Sequence, residues 1–177
     1  GDTTRSIFAS KSGAYFCTAW YNGEIGFSDT LYVTVMDAPK PLIAVNGSIP
    51  LCPGDSLFLD AGTGYAAYFW STRETTQSIV VHDPGEYHVT VTGINGCPGY
   101  SDTVTVTMAP DAAKPIITRD LDVLSSTDAR TWQWYRNGQP MSGETNRNLP
   151  LLQPGTYVVF ITDANGCTAM SDPFEVT

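Results

Sequence analysis

The chain has 177 residues, of which 42% are hydrophobic, enough to build a core for one or two ordinary domains. It carries 18 acidic and 9 basic residues, and this formal net charge of −9 argues against nucleic acid or an anionic membrane surface as partner. There is no run of 18 apolar residues and no signal-peptide pattern at the start, so we predict no insertion into a membrane.

The first 36 residues have the pattern of the end of a repeated unit. The sequence GAYFCTAWYNG at 13–23 alternates apolar and polar residues up to an Asn-Gly turn, and SDTLYVTV follows at 28–35. The same pattern returns as GEYHVTVTGINGC at 85–97 and GTYVVFITDANGC at 155–167, each followed by Ser-Asp and a last alternating strand. We therefore predict that residues 1–36, the first segment, are the C-terminal part of a truncated repeat.

The middle unit is predicted to span residues 38–108, opening with APKPLI. Short alternating stretches are separated by turn signals such as CPGD, HDPG and INGC, which is typical of a β-sandwich. Tyr68 and Trp70 lie two residues apart and so share one face of a strand. We expect that face to point inward, with Trp70 as the core tryptophan of the unit.

The third unit is predicted to span residues 111–177, opening with AAKPII at 112–117. Trp134 lies two residues after Trp132 and is the expected core tryptophan here. The three copies of the Gly-x-Tyr motif place Tyr15, Tyr87 and Tyr157 at intervals of 72 (87 − 15) and 70 (157 − 87) residues. The fold class predicted for the whole chain is all-β, a tandem array of sandwiches.

These motifs resemble a known group of proteins. Tyr15-x-Cys17 is similar to the tyrosine corner and second cysteine of an immunoglobulin-like strand F, and WQWYRNGQP at 132–140 to an immunoglobulin strand C. The stretch CPGDSLFLDAGTGYAAYFWSTRETTQSI resembles the immunoglobulin-like repeats of large secreted Bacteroidetes surface proteins, which commonly end in a type IX secretion or gliding-motility-associated module. The resemblance covers essentially the whole chain. It implies tandem immunoglobulin-like sandwiches, an extracellular or cell-surface location, and a structural role for Tyr15, Tyr87 and Tyr157.

The four cysteines can be assigned on that basis. In such a sandwich we expect strands B and F to face each other across the core and to run antiparallel, so that B begins where F ends. Cys52 precedes strand B and Cys97 follows strand F, so we predict a Cys52–Cys97 disulfide closing 45 residues (97 − 52) and contributing about 2–4 kcal/mol. Cys17 and Cys167 are expected to be unpaired within their own units. The alternative is four reduced thiols, and a Cys17–Cys52 link would imply a permuted folding unit.

The first segment is too short to fold alone. Tyr15, Cys17 and Ala19 share one strand face, which we expect to point toward the inside of a half-sandwich. We expect residues 3–35 to form three strands, and three strands alone are only marginally stable in water. The segment should therefore pack on the middle unit, pair with a second chain by exchange, or be poorly ordered.

Catalytic and metal-binding patterns are sparse. His82 and His88 are the two histidines, there is no C-x-x-C spacing for zinc, and no serine lies in a G-x-S-x-G elbow. An aspartate recurs before each last strand, at Asp29, Asp102 and Asp172. One carboxylate per unit is too few to hold calcium, so we expect the Ser-Asp pair to satisfy backbone groups of the turn. We expect no enzyme activity, no metal and no cofactor.

Two functional classes fit this sequence. The first is a structural and adhesive module of a secreted or cell-surface bacterial protein, whose partners are neighbouring repeats and other proteins. The second is a carbohydrate-binding module, accessory to a secreted hydrolase, in which exposed aromatic rings stack on surface glycans. Its candidate contacts are the aromatic residues not assigned to the core: Trp20, Tyr21, Tyr65, Phe69, Tyr100 and Tyr135.

Overall fold

The computed structural model describes residues 3–150 and 153–177, and these residues form an all-β structure. The described ranges contain no helix long and apolar enough to cross a membrane. Every strand pair within the sheets is antiparallel. The expected all-β class is therefore confirmed.

The first segment forms two separate ladders. Its strands are β1 (Gly13–Tyr15), β2 (Thr18–Tyr21), β3 (Glu24–Phe27) and β4 (Leu31–Val33), with β1 paired to β4 and β2 to β3. The β2–β3 hairpin turns through Asn22 and Gly23, both at positive φ (50° and 86°), as a two-residue primed turn requires. Nearly all residues of these strands are exposed, so the structure does not show the first segment packed onto the middle unit.

The middle unit contributes two groups of strands to one core. They are β5 (Ala44–Asn46), β6 (Leu57–Asp60), β7 (Tyr65–Trp70), β8 (Ser78–Val81), β9 (Gly85–Tyr87), β10 (Val89–Gly93), β11 (Pro98–Tyr100) and β12 (Val104–Val106). One sheet has the order β5-β6-β8; the other group is β11-β10-β7 with the ladder β12-β9. Both groups supply the same buried cluster, which includes Leu57, Leu59, Trp70, Ile79, Val89, Val91 and Val106.

The third unit repeats this arrangement. Its strands are β13 (Ile117–Asp120), β14 (Val123–Ser126), β15 (Thr131–Arg136), β16 (Gln139–Pro140), β17 (Asn148–Pro150), β18 (Gly155–Thr162), β19 (Thr168–Met170) and β20 (Phe174–Val176). One sheet is β13-β14-β17, and the other is β16-β15-β18-β19 with β20 also paired to β18. The shared core includes Leu124, Trp134, Leu149, Tyr157, Val159, Ile161 and Val176.

The cores follow directly from alternation in the sequence. Along β10 and β14 buried residues alternate with less buried ones, because successive side chains of a strand point to opposite faces. One strand has a sequence that alternation does not indicate. The sequence Pro98-Gly99-Tyr100 has poor β propensity, yet it forms β11, and its proline is tolerated because β11 is an edge strand.

Candidate functional site

One hydrogen bond recurs in all three parts of the chain at the corner before strands β1, β9 and β18. In each, a tyrosine hydroxyl donates to the backbone carbonyl four residues earlier. Tyr15 donates to the Lys11 carbonyl at 2.8 Å, Tyr87 to the Asp83 carbonyl at 2.8 Å, and Tyr157 to the Gln153 carbonyl at 2.6 Å. Tyr87 and Tyr157 are buried, whereas Tyr15 is half-buried because its segment has no complete core.

A second recurring contact explains the Ser-Asp motif. The serine hydroxyl accepts the backbone N–H of the residue two after the corner tyrosine, at 2.9 Å for Ser28 and 3.0 Å for Ser101 and Ser171. The same serine donates its own N–H to that residue's carbonyl. These bonds satisfy backbone groups where one strand partner ends and the next begins. The recurring serine is therefore a structural residue, and its position was readable from the sequence.

The corner tyrosine of the middle unit, Tyr87, makes the stability of that unit decrease at alkaline pH. Burial, and after it the charge of Asp83, raises the pKa of Tyr87 above the usual value of about 10. A raised pKa means that the folded unit prefers the neutral phenol, so this contribution is full below about pH 10 and is lost as pH rises through the higher folded value.

We therefore expect Tyr87→Phe to cost about 1 kcal/mol at pH 8 through the lost hydrogen bond. Between pH 10 and 12 the difference from the parent protein should shrink, because the variant has no phenol to ionise. Urea titrations of both proteins across this range measure it, with the exposed Tyr100→Phe as control for loss of one phenol. A difference between parent and variant that stays constant up to pH 12 would contradict the expectation.

The disulfide of the protein joins the middle and third units. Cys52 and Cys167 are bonded, with Cα atoms 5.4 Å apart and a separation of 115 positions in sequence, and Cys17 and Cys97 are free thiols. The predicted Cys52–Cys97 pair is therefore wrong, whereas Cys167 has no partner within its own unit, as expected, and bonds to a cysteine of the middle unit instead. The sequence predicted a disulfide within the middle unit, and the structure has one between the middle and third units.

Strand direction explains this error. Strand β6 pairs antiparallel with β8, Leu57 opposite Val81, and the chain then turns directly into β9. Strands β6 and β9–β10 therefore run in the same direction, not in opposite directions as the prediction assumed. Cys52, just ahead of β6, lies at the end of the unit where β9 begins, whereas Cys97 follows β10 at the opposite end.

The outgoing end of the middle unit, where the chain leaves for the third unit, holds Cys52 in place. Leu51 forms a parallel bridge with Met108, accepting from the Ala109 N–H at 2.9 Å and donating to the Thr107 carbonyl at 2.8 Å. The disulfide then reaches the turn after β18. A cavity of about 100 Å³ beside it is lined by both cysteines, Pro53, Asp55, Asp111, Ala112, Gly166 and Thr168.

The incoming end, where the chain enters the middle unit, is built around Cys97. The Asn95 side-chain amide donates to the Asp37 carbonyl at 3.3 Å. A Cβ atom added at Gly99 would lie 2.1 Å from the Pro39 carbonyl oxygen, so only glycine allows this close approach of linker and hairpin. Cys97 thus lies beside its linker as Cys167 lies beside Asp111 and Ala112.

The expected core and surface aromatic residues occupy different environments. Trp70 and Trp134 are fully buried, and each indole N–H donates to a backbone carbonyl, of Thr76 at 2.8 Å and of Asn146 at 2.9 Å. Of the candidate ligand contacts, the exposed ones are Trp20, Tyr21, Phe69 and Tyr100. Tyr65 packs on the middle core and makes an edge-to-face contact with Tyr68, and Tyr135 is half-buried.

One exposed aromatic arrangement is ordered by the sheet register. Phe69 pairs with Thr90, and Thr90 pairs with Tyr100, so the two rings lie on the same face with one threonine between them. Phe69 is 55% exposed and Tyr100 is 69% exposed. In the third unit the equivalent row is Gln133, Phe160 and Met170. The middle unit therefore has the pair of aromatic rings and the third unit does not.

Clusters of titratable groups are absent from the described parts of the chain. Within residues 3–150 and 153–177 there is no group of three or more His, Cys, Asp or Glu side chains arranged to hold a metal ion. His82 and His88 are both exposed. Of the recurring aspartates, Asp172 forms an exposed ion pair with Lys114 of the linker.

Comparison with known proteins gives little beyond this geometry. No protein-family model and no curated protein matches the chain. Among solved structures it is similar to the Bacteroides ovatus mixed-linkage glucan utilization locus protein SGBP-B in complex with a mixed-linkage heptasaccharide, at 16% sequence identity and a TM-score of 0.25. The match covers 94% of this chain and 53% of that one, so the chain spans about half its length. At this TM-score the likeness carries no argument about function.

Proposed function

We propose that the chain is a non-catalytic part of a secreted or cell-surface bacterial protein, in which tandem immunoglobulin-like repeats form a stalk that presents an adhesive or protein-interaction surface. The repeats are the middle unit (38–108), the third unit (111–177) and a first repeat of which residues 1–36 are the C-terminal part. The observation that carries this proposal is the Cys52–Cys167 disulfide, which fixes one unit to the next.

The repeat assignment is supported by contacts that recur at matching positions. Each part of the chain has the corner hydrogen bond from tyrosine and the serine bond to the following strand. Each of the two complete units also has a buried tryptophan, and its indole N–H donates to a backbone carbonyl in the corresponding loop of that unit. A tyrosine corner and a core tryptophan are hallmarks of immunoglobulin-like sandwiches.

The extracellular location is supported by the disulfide itself. Disulfides persist in oxidising compartments and are rare in the reducing cytosol. The acidic balance of charges, −9 at pH 7, also suits a surface that should stay soluble and avoid nonspecific contact with anionic membranes.

Solution scattering tests whether the disulfide orients the repeats. We expect the oxidised protein to give a narrow distribution of interatomic distances, and reduction to broaden it, since the short chain segment between β12 and β13 then remains as the covalent connection. The variant Cys52→Ser/Cys167→Ser is the matched control and should resemble the reduced protein with or without reductant. Identical curves for oxidised and reduced protein would contradict an orienting role.

A second candidate function is carbohydrate binding, favoured by the Phe69–Thr90–Tyr100 row. The two rings are separated by two strand spacings, about 10 Å, and both are open to a ligand. Aromatic faces with a hydroxyl between them suit the apolar faces and hydroxyl groups of a sugar chain. Affinity electrophoresis in soluble polysaccharides tests this: Phe69→Ala and Tyr100→Ala should abolish any retardation, and Ile94→Ala, which removes a more exposed apolar side chain that is not aromatic, should not.

A further inference from the structure

The first segment carries one face of a core with nothing over it. Tyr15, Cys17 and Ala19 correspond to Tyr87, Val89 and Val91 through the recurring tyrosine and serine bonds. In the middle unit that face is buried under the β5-β6-β8 sheet, whose apolar residues include Leu57, Leu59, Ile79 and Val81. In the first segment the corresponding side chains are exposed or half-buried. The missing cover has the chemistry of a three-stranded sheet with apolar residues alternating along one face.

The turn holding Cys97 matches the turn that holds the bonded Cys167. Gly93 donates its N–H to the Cys97 carbonyl at 2.8 Å, and Asp163 donates to the Cys167 carbonyl at 2.8 Å. Each turn follows the central strand of its sheet and lies against the linker entering its own unit, through the Asp37 carbonyl in one case and beside Asp111 in the other. At the third unit this geometry brings in a cysteine of the preceding unit. At the middle unit the matching cysteine, Cys97, is free.

We propose that Cys97 forms a second disulfide between repeats, with a cysteine just ahead of the second strand of the sheet that completes the first repeat. That cysteine occupies the position that Cys52 has in the middle unit. The inference rests on the proposed first repeat, whose remaining strands belong to the same polypeptide. Two thiols are oxidised to one disulfide, and two protons and two electrons pass by thiol–disulfide exchange to an oxidised disulfide such as glutathione disulfide, which becomes two thiols.

The experiment supplies the missing sheet from the chain's own sequence. A copy of residues 38–84, which carries β5 to β8 and Cys52, is joined directly to Gly13 in place of residues 1–12. An exposed Ser48→Thr change in the copy gives its cysteine peptide a distinct mass. The protein is refolded with a glutathione redox pair, alkylated without reduction and mapped by mass spectrometry. The matched control carries Cys52→Ser in the copy alone.

We expect a peptide that links the copied Cys52 to Cys97, loss of Cys97 alkylation, and retention of the native Cys52–Cys167 bond. In the control, Cys97 should be alkylated again, while Cys17 becomes protected because the new sheet covers it. Protection of Cys17 with Cys97 still reactive in the cysteine-bearing fusion would overturn the second disulfide alone. Cys17 as reactive as in the unfused chain would overturn the proposed first repeat, and this inference with it.

Discussion

Replacing Trp70 with alanine is expected to lower the free energy of unfolding of the middle unit by about 3–5 kcal/mol. The side chain is fully buried, so its removal takes away apolar contact and leaves a cavity among Leu57, Leu59 and Val91. It also leaves the Thr76 carbonyl without the indole N–H that it accepts at 2.8 Å. A domain is stable by only about 5–15 kcal/mol, so the loss is a large share of the total.

Urea or thermal unfolding measures this effect, and the chain provides a matched control. Trp20→Ala removes the same side chain from a site where it is 72% exposed, and it should change the stability of either complete unit little. Trp134→Ala should reproduce the loss in the third unit, since Trp134 is fully buried and bonded to the Asn146 carbonyl. Unfolding of Trp70→Ala at the parent denaturant concentration would show that the tryptophan does not support the core.

The double variant Cys52→Ser/Cys167→Ser is expected to lose about 3–5 kcal/mol of stability. The disulfide spans 115 residues, so it removes much of the freedom of the unfolded chain, and a long closed loop gives the largest effect in that description. Both cysteines are replaced together so that no released thiol can bond to Cys17 or Cys97.

Guanidinium unfolding without reductant gives the measurement. We expect the variant to unfold at a lower guanidinium concentration and in two separate transitions, one for each unit. The parent protein, with its disulfide intact, should unfold its middle and third units together. Cys17→Ser and Cys97→Ser are the controls, because both residues are free thiols. A double variant as stable as the parent would mean that the bond contributes nothing to the folded state.

Much of the fold could be predicted because alternation decides which side chains enter a core. Trp70 and Trp134 lie two residues from another aromatic residue, and the tyrosines recur at nearly constant intervals, so both were recognisable from sequence. Strand β11 was missed because Pro98 and Gly99 lower β propensity, and its edge position, which tolerates proline, is a tertiary property.

The disulfide could not be predicted from those local patterns. Its pairing depends on whether β6 and β10 run in the same direction and on which end of a unit meets the next, and neither follows from alternation. A signal was nevertheless present. Asp37 and Asp111 precede matching linkers, and Cys97 and Cys167 end matching motifs, whereas Cys52 has no counterpart in the tight β13–β14 hairpin of the third unit. That mismatch pointed to a bond between units.

The position of the disulfide also determines how the chain transmits tension. If the protein is pulled from its two ends, the covalent path runs from Cys52 across the sulfur–sulfur bond to Cys167, so the chain between the two cysteines cannot be drawn out while the bond is intact. The load is then borne by the strands outside this loop, β5 in the middle unit and β19 and β20 in the third unit. At about 3.4 Å per extended residue, about 390 Å of chain is held in reserve. Reduction of this one bond would release that length as slack, turning a short inextensible tether into a long compliant one.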